Sequence, residues 1–423
     1  MVNKIFNVKL IEYPLILIVF YIAHNGLLYF SNISEEVYFN KVIFLGALSE
    51  FKFLFLLLTV FTILIFHKIF KISWNGINEK KPVKILILIV AGTLMYKFST
   101  YDFNHYYNSS HYIDRLILIV LYLSLWISPY FLYAFVVYLL VLIRQFELPI
   151  GAYSYTDIMP LIDVLILFVS FLIIKQFKKI DIKPFIILAV SLHASNYFIP
   201  AIAKLEISPD LYQWVFYNNI SNLFVSSYIN GWLSFFSEKK ILETASIINF
   251  LNTPLLLFSF IIQFVSIFIF FKEKLTYVIL VLFEILHIGI FLASGIFFYK
   301  WIILNLGFIF FFKQLSSKTK AQLFNIKVAF LSFVLIIFSP LYFSPQSLAW
   351  YDTKLNNYFD VYVTDINKKS FKLGRNFLSP YDKIFAQNRF LYTLDRPIVT
   401  ATFGTIGKEK LFYSDKNLRG LFQ

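Results

Sequence analysis

ILAVSLHASNYFIPAIAKLE, residues 187–206, sets His193, the pair Ser195-Asn196 and Lys204 into an otherwise apolar run. Polar groups in hydrocarbon are costly, so they are kept where they face protein, water or a ligand. The stretch therefore reads as a membrane helix with an interior face, and the rest of the chain repeats its apolar character. Of 423 residues, 59% are hydrophobic and only 15% charged, and the mean hydropathy is +0.71. Soluble domains carry about 25% charged residues, so the composition is that of a multispan membrane protein.

Cysteine is absent, which excludes disulfides, thiolate metal sites and Cys nucleophiles. The formal charge of +14 does not point to nucleic acid. Its lysines cluster between apolar runs, where membrane topology accounts for them, and no basic-aromatic patch or binding motif accompanies them. The basic start and apolar run at the N-terminus are shared with secretory signals, but no small-x-small cleavage site follows, so this run is kept as the first span.

Runs long enough for a hydrocarbon core of about 30 Å lie at 10–30, 51–70, 84–98, 161–176, 184–204, 246–271, 275–298 and 325–343, with a short one at 300–312. The run 116–146 is interrupted by Ser128-Pro129, and one kinked helix or two short ones both fit it. Positive-inside counting decides for two crossings: Lys68, Lys71, Lys80, Lys81 and Lys84 mark one inner loop, and Lys175, Lys178, Lys179 and Lys183 another. Lys272, Lys274, Lys313, Lys318 and Lys320 also fall inside. The expectation is an all-α polytopic protein of a cell's inner, cytoplasmic membrane with about eleven spans, N-terminus in and C-terminus out. Residues 1–343 form the membrane domain.

After Phe343 the pattern changes. Period-2 alternation in YFDVYVTD (358–365), SFKLGRNF (370–377) and PIVTATFG (397–404), with a turn at Asn367-Lys368-Lys369, predicts a small extracytoplasmic β-rich domain over 344–423.

Three features fall together on the outer side: the loop 99–114, the Lys204 end of the central helix, and the tail. The loop, STYDFNHYYNSSHYID, carries Asp102, His105, His111 and Asp114. Asp-x-x-His and His-x-x-Asp spacings put the paired side chains on one face of a helical turn, where a carboxylate can orient an imidazole for proton transfer. An aqueous loop with interfacial tyrosines has the same composition. An amine partly withdrawn from water loses its preference for the charged form and becomes able to accept a proton; a lysine at a helix end also commonly snorkels to headgroups. His193 and Asn196 share a rough helical sector with Lys204 and are candidates to line a cavity leading to it; a buried histidine hydrogen-bonded to a neighbouring helix is the simpler reading of His193. In FEILHIGIF (283–291), Glu284 and His287 at i, i+3 lie mid-span, where each needs a polar partner or a pocket. A di-metal site would need more carboxylates, and Glu50 and Glu243 lie near span ends, so no metal is expected. The segment 207–244, with Trp214, Asn218, Asn219, Ser221, Asn222 and Trp232, reads as an interfacial helix able to roof the site.

SNYFIPAIAKL (195–205), LHIGIFLASGIFFYKW (286–301) and PYDKIFAQNRF (380–390) resemble segments of the horizontally transferred transmembrane (HTTM) domain family, which includes the vitamin K-dependent gamma-glutamyl carboxylases. The resemblance covers about 95–310 and part of the tail. It implies that Lys204, in the matching Lys-Leu pair, is the base that deprotonates a reduced quinone such as vitamin K hydroquinone or menaquinol, with Asp102 and His111 as catalytic partners. His105, His193, Asn196, Glu284 and His287 would then line the substrate site. In its full form it implies quinol oxygenation driving carboxylation of a glutamate in a peptide substrate. A different class fits the same residues: a non-enzymatic membrane factor that binds a partner, or matures and exports a secreted peptide. Transport has no inverted repeat to support it.

Overall fold

The computed structural model describes residues 11–70, 73–101, 103–104, 106–146, 158–206, 213–229, 231–345 and 362–372. Sixteen α-helices account for most of them, joined by short 3-10 turns, with one two-stranded sheet. Among the described residues, five helices are long and apolar enough to cross a membrane: Glu12–Phe30, Lys80–Ser99, Met159–Phe177, Lys183–Glu206 and Glu273–Ser294. The number rises to seven if each of two bent helix pairs is one span. The chain is thus a helical protein built for a bilayer.

Fewer helices qualify than the runs in the sequence, because several runs break. The run 116–146 becomes two helices, Tyr112–Ser124 and Phe131–Arg144, separated at Ser128-Pro129. At about 1.5 Å per residue each covers only about 20 Å, short of a full crossing. The run 246–271 divides between Glu238–Phe250 and Asn252–Val265 and bends by 64°. Pro254 explains the break: it has no N–H for the carbonyl four residues back and its ring crowds that carbonyl. The start of the last run is set by Asn325, whose side chain accepts from Lys327 N–H (3.0 Å) and Val328 N–H (3.1 Å). This caps the helix Ile326–Ile337 and separates it from Ser317–Leu323 by a 59° bend.

The chain divides into two compact units. The first comprises residues 1–193, 268–280 and 300–344. In it Glu12–Phe30 packs along Met159–Phe177, joined by His24 and the buried Asp163, whose Nε2 and Oδ1 are 3.3 Å apart. Lys80–Ser99 packs against Tyr112–Ser124 and Met159–Phe177. Its entry is fixed by Trp74, whose indole N–H donates to Leu125 O (2.8 Å) and whose ring stacks on Phe168. Lys84 donates to Trp126 O at 2.8 Å.

The second unit comprises residues 194–267, 281–299 and 345–423. Here Ile220–Ile229 packs on Glu238–Phe250, and Gln213–Tyr217 on Asn252–Val265. Asparagines tie these helices together: Asn252 Nδ2 donates to Asn218 O (2.6 Å), its Oδ1 accepts from Ile220 N–H (2.9 Å), and Asn219 Nδ2 donates to Asn249 Oδ1 (3.1 Å). Gly295 sits at φ +70°, and the Trp232 ring lies 2.8 Å from where a Cβ would be, so both backbone and space require glycine there.

Of the tail expected to be β-rich, one hairpin lies among the described residues. Tyr362–Thr364 pairs antiparallel with Ser370–Lys372, and Asp365 Oδ1 holds the turn by accepting from Asn367 and Lys369 N–H, both at 2.8 Å. The expected strand at 397–404 lies outside the described residues.

Candidate functional site

The second unit forms a chamber of about 610 Å³, open on one side. Its walls come from Ile220–Ile229, Glu238–Phe250, Asn252–Val265 and Glu273–Ser294, which turn Phe224, Ile241, Leu256 and Leu286 inward. Among the described residues the lining is dominated by aliphatic and aromatic side chains, and it includes Lys204 and Lys240. A concave, mostly apolar space with a few converging polar groups is the usual form of a small-molecule site.

Lys204 supplies the polar end. It is 4% exposed near the C-terminus of Lys183–Glu206. Its Nζ donates to Gln263 Oε1 at 2.8 Å and to Pro200 O at 3.5 Å, and lies 4.9 Å from the centre of the Trp214 ring. Trp214 and Gln263 also line the chamber. The lysine therefore does not snorkel to the surface: its amine is held by an amide, a carbonyl and an aromatic face. Such a group can bind an acidic head or take a proton from one. Of the segment 207–244 read as an interfacial roof, residues 207–212 lie outside the described ones. The remainder is a succession of short helices whose residues Trp214, Asn218 and Leu223 line the chamber.

Glu284 and His287 belong to the same unit, but neither is among the chamber's lining residues. His287 Nε2 is hydrogen-bonded to Tyr197 OH at 2.8 Å, and the Tyr197 ring stacks on Phe283. The imidazole thus finds its polar partner on the helix Lys183–Glu206. Asn196 is buried beside Tyr197 in sequence and does not line the chamber.

His193 belongs to the first unit, fully buried, with Nε2 donating to Asn305 Oδ1 (2.5 Å) and its ring against Phe308. The sequence offered it as a histidine bonded to a neighbouring helix or as a cavity residue, and the structure shows the helix-to-helix hydrogen bond.

The loop 99–114 also belongs to the first unit. Asp102 and His105 lie outside the described residues. His111 is buried, with a left-handed backbone (φ 47°); its Nε2 donates to Tyr38 O at 3.0 Å and its N–H to Ser109 Oγ at 3.1 Å. Burial pushes its pKa below the ordinary histidine value, against the pull of the Tyr38 carbonyl, so the ring is neutral at pH 7. Its orienting partner is a carbonyl. The nearby carboxylate, Asp114, is fully buried and accepts from Ile43 N–H (2.9 Å), Phe44 N–H (2.9 Å) and Tyr138 OH (2.5 Å). Gln145 completes the network, its Oε1 accepting from Asn104 Nδ2 at 3.0 Å and Tyr101 OH at 3.4 Å. Arg115 lies over the Tyr101 ring, 3.7 Å from its centre.

Sequence reasoning overlooked Gln263 and Gly289 in the chamber and Tyr138 and Gln145 in the network. Gln263 had a signal, being a lone amide in the apolar run 253–271. Among the described residues no group of three or more His, Cys, Asp or Glu could hold a metal ion.

Fold and site together define a helical membrane protein with an apolar, lysine-ended chamber. No protein-family model, characterised protein or solved structure matches the chain.

Proposed function

We propose that the chain is an integral membrane protein of the HTTM kind that admits a lipid-soluble quinol to the chamber, where Lys204 removes a proton from a quinol hydroxyl. One observation carries this reading: a buried amine on the wall of a mostly apolar chamber. The hydroxyl proton passes to the neutral amine, leaving a quinolate next to an ammonium. Gln263 Oε1 and the Trp214 face then receive that ammonium without a change of partner, which favours the charge as it forms. The apolar walls hold the hydrocarbon part and keep bulk water from the head.

The finer topology belongs to the same proposal: about eleven crossings of the inner membrane, N-terminus cytoplasmic and tail outside, with the short helices counted as partial or paired crossings. Asp102 and His111 remain the partners implied by the resemblance, and carboxylation of a peptide glutamate is the furthest extension of it.

The test is anaerobic binding of a menaquinol to the purified protein, followed by its aerobic oxidation. Binding and oxidation that fall together in Lys204→Ala support the reading. A wild-type protein that neither binds nor oxidises the quinol ends it.

A further inference from the structure

Ile285, Leu286, Gly289, Leu292 and Ala293 of the helix Glu273–Ser294 line the chamber, recurring at helical spacing with Gly289 at the middle of the sector. A Cβ built on Gly289 would meet nothing within 4 Å. Glycine inside a helix is unfavourable because the unfolded chain has more freedom to lose, so it usually answers a need for positive φ or for close approach of another group. Neither need exists here: Gly289 does not have a positive φ, and no neighbour crowds it. What the missing side chain leaves free is chamber.

The chamber's size and charge limit what can fill it. At ~30 Å³ per non-hydrogen atom, the share of a water molecule in the liquid, about 610 Å³ holds about twenty such atoms. That is the size of one tail with a small head. Two lysines among the described lining residues favour an acidic head, met by the buried Lys204, with Lys240 exposed.

We propose that Gly289 is the specificity-determining residue of this chamber, and that the chamber takes a single-chain amphiphile with an ionisable oxygen acid at its head, whose tail lies over Gly289. This rests on the reading that Lys204 meets the head. Two sources share the chemistry, a short-tailed quinol and a fatty carboxylate, and the test separates them.

Full-length protein in detergent is titrated anaerobically with a methylnaphthoquinol bearing one isoprenoid unit, and separately with stearate, using Trp fluorescence. The variants are Gly289→Ala, Gly289→Phe and Lys204→Met. The expected result is binding by the wild type, a loss of at least about tenfold in Gly289→Phe, and a change within about threefold in Gly289→Ala. Both glycine variants should melt at or above the wild-type temperature, because a side chain there improves the helix and its Cβ meets no atom within 4 Å. Should Gly289→Phe melt lower, the slimmer Gly289→Met is judged by the same criteria. Wild-type affinity in the bulky variant, with loss in Lys204→Met, overturns the role of Gly289 and leaves the Lys204 reading standing. Binding of stearate alone, lost in both variants, overturns the quinol reading and upholds this one. A wild type that binds neither probe overturns the inference.

Discussion

Replacing Lys204 by Met separates a residue kept for function from one kept for stability. Met preserves most of the aliphatic stem and removes the amine. Losing the amine leaves Gln263 Oε1 without that donor, at a cost of about 1–3 kcal/mol. The contact with the Trp214 ring goes too, worth about 0.5–2 kcal/mol. Against these stands relief from burying a polar amine at 4% exposure, which costs about 1–3 kcal/mol before its partners offset it. The balance falls within about 2 kcal/mol of zero, a shift of no more than roughly 5 °C in a chain of this size. Intrinsic Trp fluorescence reads the melt, and with no cysteine in the chain thiol-reactive dyes are unsuitable. The second part of the assay adds quinol. At a hundred times its Kd a ligand stabilises the wild type by about 2.7 kcal/mol, visible as a rise of several degrees that Lys204→Met should lack. A large fall in the melting temperature of the variant would make Lys204 a structural keystone. An equal ligand-induced rise in both proteins would remove it from the site.

Two further outcomes follow from the first unit. Asp114→Ala strands the donors at Ile43, Phe44 and Tyr138 in a buried place, so at about 1–3 kcal/mol each with partial relaxation the melting temperature should drop by roughly 10 °C; a change within about 2 °C would show that the network does not hold the helix Tyr112–Ser124. Glu79 gives a pH signature. Partial burial raises its carboxyl, but the Ser316 and Thr319 hydroxyls and the Ser316 N–H outweigh burial and leave the pKa below its ordinary 4.5. A carboxyl lowered on folding contributes stability that is complete above the unfolded value and is lost as pH falls through the folded one. Wild type should therefore melt higher than Glu79→Gln at pH 7, and the gap should close below pH 4.5; a constant gap would refute the assignment.

How much of this was legible depended on whether a residue's partner leaves a trace in the chain. Lys204 stood out because an amine within an apolar helix is expensive, and the structure gives it a lined chamber. The break at Ser128-Pro129 was visible, whereas the break before Asn252 was hidden inside an unbroken apolar run, although Pro254 marks it. The hydrogen-bond partners of Asp114 and His111 were not legible for one reason. Their partners are backbone groups at Ile43, Phe44 and Tyr38, roughly seventy residues away, and main-chain donors and acceptors have no sequence signature. His287 was correctly marked as needing a polar partner, but spacing pointed to Glu284, and Tyr197 on a distant helix fills the role. Gly289 escaped notice because an isolated glycine in a helix says nothing until the space before it is seen.

The most direct test is the absorption spectrum of a naphthoquinol bound anaerobically at neutral pH, where quinol and quinolate differ. Transfer of a hydroxyl proton to Lys204 predicts the quinolate spectrum in the wild-type protein and the neutral quinol spectrum in Lys204→Met and in free solution. A bound quinol that stays fully protonated in the wild type, or ionises equally without the lysine, would contradict the account.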